Sequence, residues 1–186
     1  MDSHISIRDS VPDDAEAIFD LRCDPRLKSM QYQPTFLEKV FASFAVAPPG
    51  PEIPTNGWMS STILADAEFA GYIHQRCTTD SKGVTSILLG WDLIPELWGM
   101  GIMVRALDLL FDRRVESRTN IDFVACCFAT NHRSLRVIEK LGFVPEPLTF
   151  SERSIHFVMT WGRERVLKFR LTYDRWRERR ATRLAT

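Results

Sequence analysis

This chain lacks any excess of charge: 24 Lys and Arg stand against 24 Asp and Glu in 186 residues. The protein as a whole therefore has no bias toward polyanions, and nucleic acid is not an expected partner. It has no apolar run approaching the roughly twenty residues that cross a bilayer, so no membrane contact is expected. The first residues, Met-Asp-Ser-His-Ile, lack the basic start and apolar stretch of a secretion signal, which makes a cytoplasmic location the expectation. Cysteine is sparse, and Cys23, Cys77, Cys126 and Cys127 show no metal-ligand spacing, so no metal is expected. Strand alternation would turn Cys126 and Cys127 to opposite faces, a poor geometry for a mutual bond, and reduced thiols suit the cytoplasm. No long low-complexity tract argues for disorder, while 45% hydrophobic residues and 12 phenylalanines suit one domain with a sizeable core.

What is present is organised around residues 95–105, Pro-Glu-Leu-Trp-Gly-Met-Gly-Ile-Met-Val-Arg. Before them, Val84 to Leu93 is apolar enough to be a buried strand. After them, Met103, Ala106, Leu107, Leu110 and Arg114 recur at helical spacing. Gly99 and Gly101 let the backbone bend tightly and let a bulky anion approach its N–H groups. The first N–H groups of a helix lack internal partners and its dipole favours negative charge, so such a turn suits phosphate. A plain tight turn has the same spacing. A second apolar strand, Ile121 to Phe128, leads into a helix capped by Asn131 and stopped by Gly142.

Elsewhere, Ile5 and Ile7 alternate with polar residues in a short first strand, and Pro12-Asp13-Asp14 opens a helix that ends at Asp24-Pro25. Phe36, Val40, Phe41 and Phe44 give a second short helix, and four prolines make 47–57 a loop. Trp58–Leu64 and Phe69–Arg76 form a hairpin about Asp66-Ala67-Glu68. Phe143–Glu146 is a further candidate strand, and Ser154–Trp161 is expected to close the sheet. This order predicts an α/β domain with a mixed sheet over residues 1–161. Beyond it, Val166, Phe169, Tyr173 and Trp176 fall at i, i+3, i+7 and i+10, the apolar seam of a basic amphipathic helix over 162–186. Nine basic and three acidic residues between Arg163 and Arg183 predict docking on an acidic face of its own protein, across a twofold homodimer.

The run Gly90-Trp91-Asp92-Leu93-x-Pro95-Glu96-x-Trp98-Gly99-x-Gly101, followed by the Asn131-x-x-Ser134 helix, resembles the GNAT superfamily of acyl-CoA-dependent N-acyltransferases, and more narrowly its Rim-type branch. The resemblance covers roughly residues 4–161 and is most specific over 90–143. It implies a mixed, mostly antiparallel sheet whose central parallel strands, Val84–Leu93 and Ile121–Phe128, splay apart between flanking helices. It implies acetyl-CoA as cosubstrate, with pyrophosphate on the backbone of Trp98, Gly99, Met100, Gly101, Ile102, Met103 and Val104. Leu93 and Ile94 would present backbone groups to the pantetheine arm, and Asn131 and Ser134 would assist the departing thiolate. Asn131 also reads as a plain cap, and residues 47–57 as an acceptor-site flap or a surface connection.

Three positions depart from the family pattern, the first being Met103, which stands where glycine or alanine is usual. Arg105 replaces a common glutamate and either reaches a phosphate or covers the helix; Leu88 replaces a glutamate that many relatives place on this strand. A lysine-like amine, with a pKa of about 10.4, must shed a proton before attack. Asp92 is the nearest candidate base, though it could instead orient the loop; His74, His156 and Glu152 are others, and a water chain is the alternative. The resemblance implies a primary amine as acceptor, on a protein N-terminus or a small molecule. A catalytically weak CoA-binding or regulatory protein, or a ribosome- or RNA-associated protein using the basic tail, are the competing classes.

Overall fold

The computed structural model describes residues 3–28, 30, 56–117 and 120–184. Strand β1 (Ile5–Asp9) leads through a 3-10 turn at Pro12–Asp14 into α1 (Ala15–Cys23) and the short α2 (Pro25–Lys28). Strands β2 (Asn56–Ala65), β3 (Glu68–Thr79) and β4 (Thr85–Leu93) follow, then α3 (Ile102–Ser117) and β5 (Ile121–Phe128). The chain continues through α4 (His132–Lys140), β6 (Val144–Glu146), α5 (Phe150–Thr160), β7 (Val166–Leu171) and α6 (Tyr173–Leu184). Seven strands form one sheet in the order β1-β2-β3-β4-β5-β7-β6. Among the described residues only β4 and β5 run parallel; the other neighbours are antiparallel.

Local chemistry accounts for the punctuation. The β2–β3 hairpin turns on Asp66 and Ala67, both at positive φ, as the tight hairpin turn that matches strand twist requires. Asn131 caps α4, its side chain accepting the Ser134 N–H at 3.1 Å, and Gly142 at φ 78° ends that helix. Helix α3 lays Ile102, Met103, Ala106, Leu107, Leu110 and Phe111 on one face of the sheet, and Phe111 meets Phe123 at 4.2 Å between ring centroids. A smaller cluster, Ile18, Leu21, Leu27 and Tyr72, packs α1 and α2 on the sheet.

The C-terminal third departs from the sequence reading. Ser154–Trp161, expected as the closing strand, lies in helix α5 and its cap. Thr149 and Glu152 form a reciprocal capping box at its start, and Trp161 ends it in the left-handed region. The closing strand is instead Val166–Leu171, inserted antiparallel between β5 and β6. The expected seam through Val166 and Phe169 is therefore strand, and helix begins only at Tyr173. A boundary at 161/162 would cut the connection into an interior strand of the sheet. Helix α6 buries Trp176 and sets Arg179 and Arg180 on Asp108 and Asp112 of α3. The expected helix around Phe36–Phe44 and nearly all of loop 47–57 lie outside the described residues; Asn56 and Gly57 begin β2.

Candidate active site

The parallel pair holds only from Thr85↔Ile121 to Leu89↔Ala125. Beyond that, β4 stays with β3 as far as Leu93↔Gly71, and β5 stays with β7 as far as Phe128↔Val166. Each strand follows its outer partner, and a cleft of about 710 Å³ opens between them. The Ile94 N–H donates to Ala70 of β3, while the Leu93 carbonyl accepts from the Trp98 indole at 2.8 Å. By strand alternation, Trp91 and Leu93 thus turn their backbone polar groups to the edge that faces the cleft.

One wall is the glycine turn. Gly99 at φ 83° and Gly101 at φ 77° hold the left-handed backbone that other residues adopt at a cost, and a Cβ at either would meet nothing within 4 Å. The requirement is conformational, and the space beside the turn stays open. Arg105 makes the first helical bond, to the Gly101 carbonyl, so the N–H groups of Ile102, Met103 and Val104 precede any helical acceptor.

The facing wall is α4, where Asn131 and Ser134 line the cleft with Arg133, Arg136 and Lys140. The Arg133 guanidinium lies 4.6 Å from the centroid of the Trp98 ring, tying that wall to the glycine turn. These three cations were missed in the sequence reading. Their i, i+3, i+7 spacing, beside a turn already read as an anion site, was the available signal.

The floor carries Arg22, His74 and Asp92. Arg22 donates to the buried Tyr72 hydroxyl at 2.5 Å and stands 3.7 Å from the Asp92 carboxylate. Its side chain is 4% exposed and that of Asp92 is 13% exposed, so this carboxylate shares its site with a desolvated cation. Burial, then the Asp92 charge, pushes the Tyr72 hydroxyl above its usual range, so it stays protonated. His74 lies opposite Gly90, where a Cβ would come within 2.1 Å of the imidazole; glycine makes room for the ring. Burial, reinforced by Arg22, pushes His74 down to about 4, so it is neutral at pH 7. Cys126 and Cys127 also line the cleft, and burial pushes their thiols up to about 11 and about 12, which keeps them protonated.

The cleft thus brings together Asp92, Leu93, Trp98, Gly99, Gly101, Ile102, Met103, Val104, Asn131 and Ser134. Two expected contacts fall outside its lining. Ile94 packs with the Ile18 cluster and spends its N–H on Ala70, and the Met100 side chain points largely to solvent. Arg105 donates to the Ser3 carbonyl, tying α3 to the start of the chain rather than reaching the cleft. Glu152 and His156 lie on α5, with Glu152 bonded to Lys168 at 2.8 Å, and neither lines the cleft. Among the described residues no cluster of His, Cys, Asp or Glu has the make-up of a metal site.

A parted parallel pair, a glycine turn opening a helix and a second capped helix opposite it are the arrangement that the GNAT resemblance implies. A family model for the acetyltransferase (GNAT) domain matches residues 4–144, and the chain belongs to that family. Among solved structures it is similar to RimL, a ribosomal L7/L12 α-N-protein acetyltransferase in complex with coenzyme A, at 16% identity, with a TM-score of 0.67 over 92% of this chain and 95% of that one. It is also similar to ribosomal-protein-S5-alanine acetyltransferase from Vibrio fischeri, at 16% identity and a TM-score of 0.66, covering 93% and 95% of the two chains. A GNAT-family acetyltransferase from Bacillus anthracis gives 14% identity and a TM-score of 0.67, covering 94% and 98%.

Proposed function

We propose that this protein is a Rim-type N-acetyltransferase that moves an acetyl group from acetyl-CoA to a primary amine by direct attack in a ternary complex. The observation that carries the reading is the cleft itself. Its end at the glycine turn offers unpaired helix N–H groups with Arg133, Arg136 and Lys140 opposite, which suits a pyrophosphate. Its middle offers the open backbone edge of Trp91 and Leu93, which suits an amide-bearing arm. The roles then follow from position. The amine nitrogen bonds to the thioester carbonyl carbon, and the oxyanion that forms needs donors, for which the open β4 edge is placed. The C–S bond breaks, and Ser134, half-buried at the first turn of α4, is placed to give the thiolate a hydrogen bond.

The site has weak means of removing a proton. Asp92 stands beside Arg22, Leu88 occupies the position of the common glutamate, and His74 is neutral but a poor base. That chemistry favours an amine already largely neutral near pH 7. An α-amino group, with a pKa of about 7.7–8, meets the condition better than a lysine side chain at about 10.4. A protein or peptide N-terminus is therefore the acceptor favoured over a lysine-like amine. The nucleic-acid reading of the tail loses support because Arg175, Arg179 and Arg180 are engaged with Gly142, Lys140, Asp108 and Asp112 of the same chain.

The test is thiol release from acetyl-CoA by purified protein against a panel of peptides with free α-amines, α-blocked lysine peptides, polyamines and amino sugars. Turnover with an α-amine and little with the α-blocked peptides is expected. Turnover confined to lysine-like amines would overturn the acceptor assignment. Tight acetyl-CoA binding with no turnover on any amine would leave the binding-protein reading in its place.

A further inference from the structure

Helix α5 is amphipathic the wrong way round for a surface helix. Glu152, His156 and Thr160, spaced i, i+4, i+8, turn inward, with Glu152 bonded to Lys168 of β7 and Thr160 buried. The outward face carries Phe150, Phe157, Val158 and Trp161, exposed by 85%, 66%, 69% and 84%, with Ile155 and Met159 beside them. These four follow i, i+7, i+8, i+11, one continuous stripe, with Ser154 in its middle. The helix is fixed by its capping box and its left-handed cap rather than by apolar burial. Large apolar patches of this kind mark interaction sites.

We propose that a second copy of this chain docks on the outer face of α5, the two helices crossing antiparallel about a twofold axis at Ser154. The stripe suits self-pairing, because Phe150 and Val158 lie four residues either side of Ser154, so Phe150 of each copy meets Val158 of the other. The small serine lets the backbones approach. The area also fits. With roughly 150–250 Å² for a large aromatic side chain, the four stripe residues present about 600 Å² per copy, and a twofold pair would remove about 1,200 Å², the lower end of the range for a specific interface. A membrane surface is disfavoured: the only basic residue in α5 is Arg153, next to Glu152, and the chain's net charge is zero. The aromatic residues of α6 do not compete for this role, since Trp176 is buried in its own chain.

Sedimentation velocity of the full chain at about 1 and 100 µM tests this. The expectation is a species of twice 21.4 kDa at the higher concentration, and of 21.4 kDa for Phe157→Glu/Trp161→Glu. Both substitutions lie on the outer face, so the variant should keep its circular dichroism and a cooperative melt. Ser154→Cys should give a covalent dimer on mild oxidation where wild type gives none. A wild-type monomer at 100 µM would overturn the proposal. If that monomer pellets with phosphatidylserine vesicles, the face belongs to a membrane; if it does not, it belongs to another protein. A double variant that stays dimeric, or a dimer whose Ser154→Cys form never cross-links, would overturn the α5 twofold.

Discussion

The glycine turn admits a comparison in which charge is the only variable. Gly101 has φ 77° and open space where a Cβ would sit, so a side chain there meets no neighbour and costs only local strain. Asn and Asp tolerate the left-handed region better than other residues, at a cost of at most about 1–2 kcal/mol. Gly101→Asn and Gly101→Asp should therefore melt at nearly the same temperature. They should differ toward acetyl-CoA. A carboxylate on this turn would stand roughly 5 Å from a pyrophosphate held by the N–H groups of Ile102 to Val104. Repulsion per charge pair at that distance is about 0.8 kcal/mol at a dielectric of about 80 and about 3.3 kcal/mol at about 20. Asp should then bind between about fourfold and a few hundredfold more weakly than Asn. Calorimetry at about 0.05 M and about 0.5 M salt adds a second check, because the screening length falls from roughly 14 to roughly 4 Å and the gap should narrow. Equal affinities for the two folded variants at low salt would mean that no anion binds at this turn.

Ser134→Ala should lower kcat by about tenfold or more with acetyl-CoA affinity nearly intact, the pattern of an interaction made chiefly in the transition state; equal loss of both would make Ser134 a plain ligand contact. His74, held down to about 4 by burial against an ordinary value of 6.5, stabilises the fold above pH 6.5, and that contribution is lost as pH falls toward 4. At about 1.4 kcal/mol per unit it is on the order of 3 kcal/mol, so urea melts from pH 7.5 to 4.5 should show a loss that His74→Gln abolishes, over and above that from His156, which burial also holds low. Trp176→Ala removes a side chain only 7% exposed and should cost about 3–5 kcal/mol by denaturant melting, with an unchanged midpoint showing that α6 is not anchored there.

The cleft was legible in the sequence because its parts are local. Gly99 and Gly101, the apolar run into Leu93 and the Asn131 cap each declare themselves within a few residues, and the structure places them where that local chemistry requires. The floor was not legible. Arg22 comes from α1, Tyr72 and His74 from β3 and Asp92 from β4, so their association is a product of packing with no short-range trace. Asp92 read as a candidate base or a loop-orienting carboxylate, because its cationic neighbour Arg22 comes seventy residues earlier in the chain. Gly90 had a readable role in the motif, but the imidazole that needs its missing Cβ became visible only with the strand register.

The misassigned stretch follows a different logic. Ile155, Phe157, Met159 and Trp161 alternate with Ser154, His156, Val158 and Thr160, a period of two that favours a strand. Against it stood Thr149-x-x-Glu152 ahead and Gly162 behind, the start and stop of a helix. The caps prevailed, and the cost is visible: Ile155, Phe157, Met159 and Trp161, which a strand would have set on one face, now lie with Val158 at the surface of one helix. The strand position went to Val166–Leu171, which the helical spacing of Val166, Phe169 and Tyr173 had assigned to the basic helix. Glu146 and Glu152 neutralise Lys168, and Glu146 and Asp122 neutralise Arg170, so carboxylates distant in sequence make that strand buriable. Helix α5 therefore owes its direction to Glu152: the same carboxylate that caps its first turn reaches Lys168, turns the polar stripe inward and leaves the apolar stripe facing out. Breaking that ion pair should loosen α5 from β7 without altering the apolar character of its outer face.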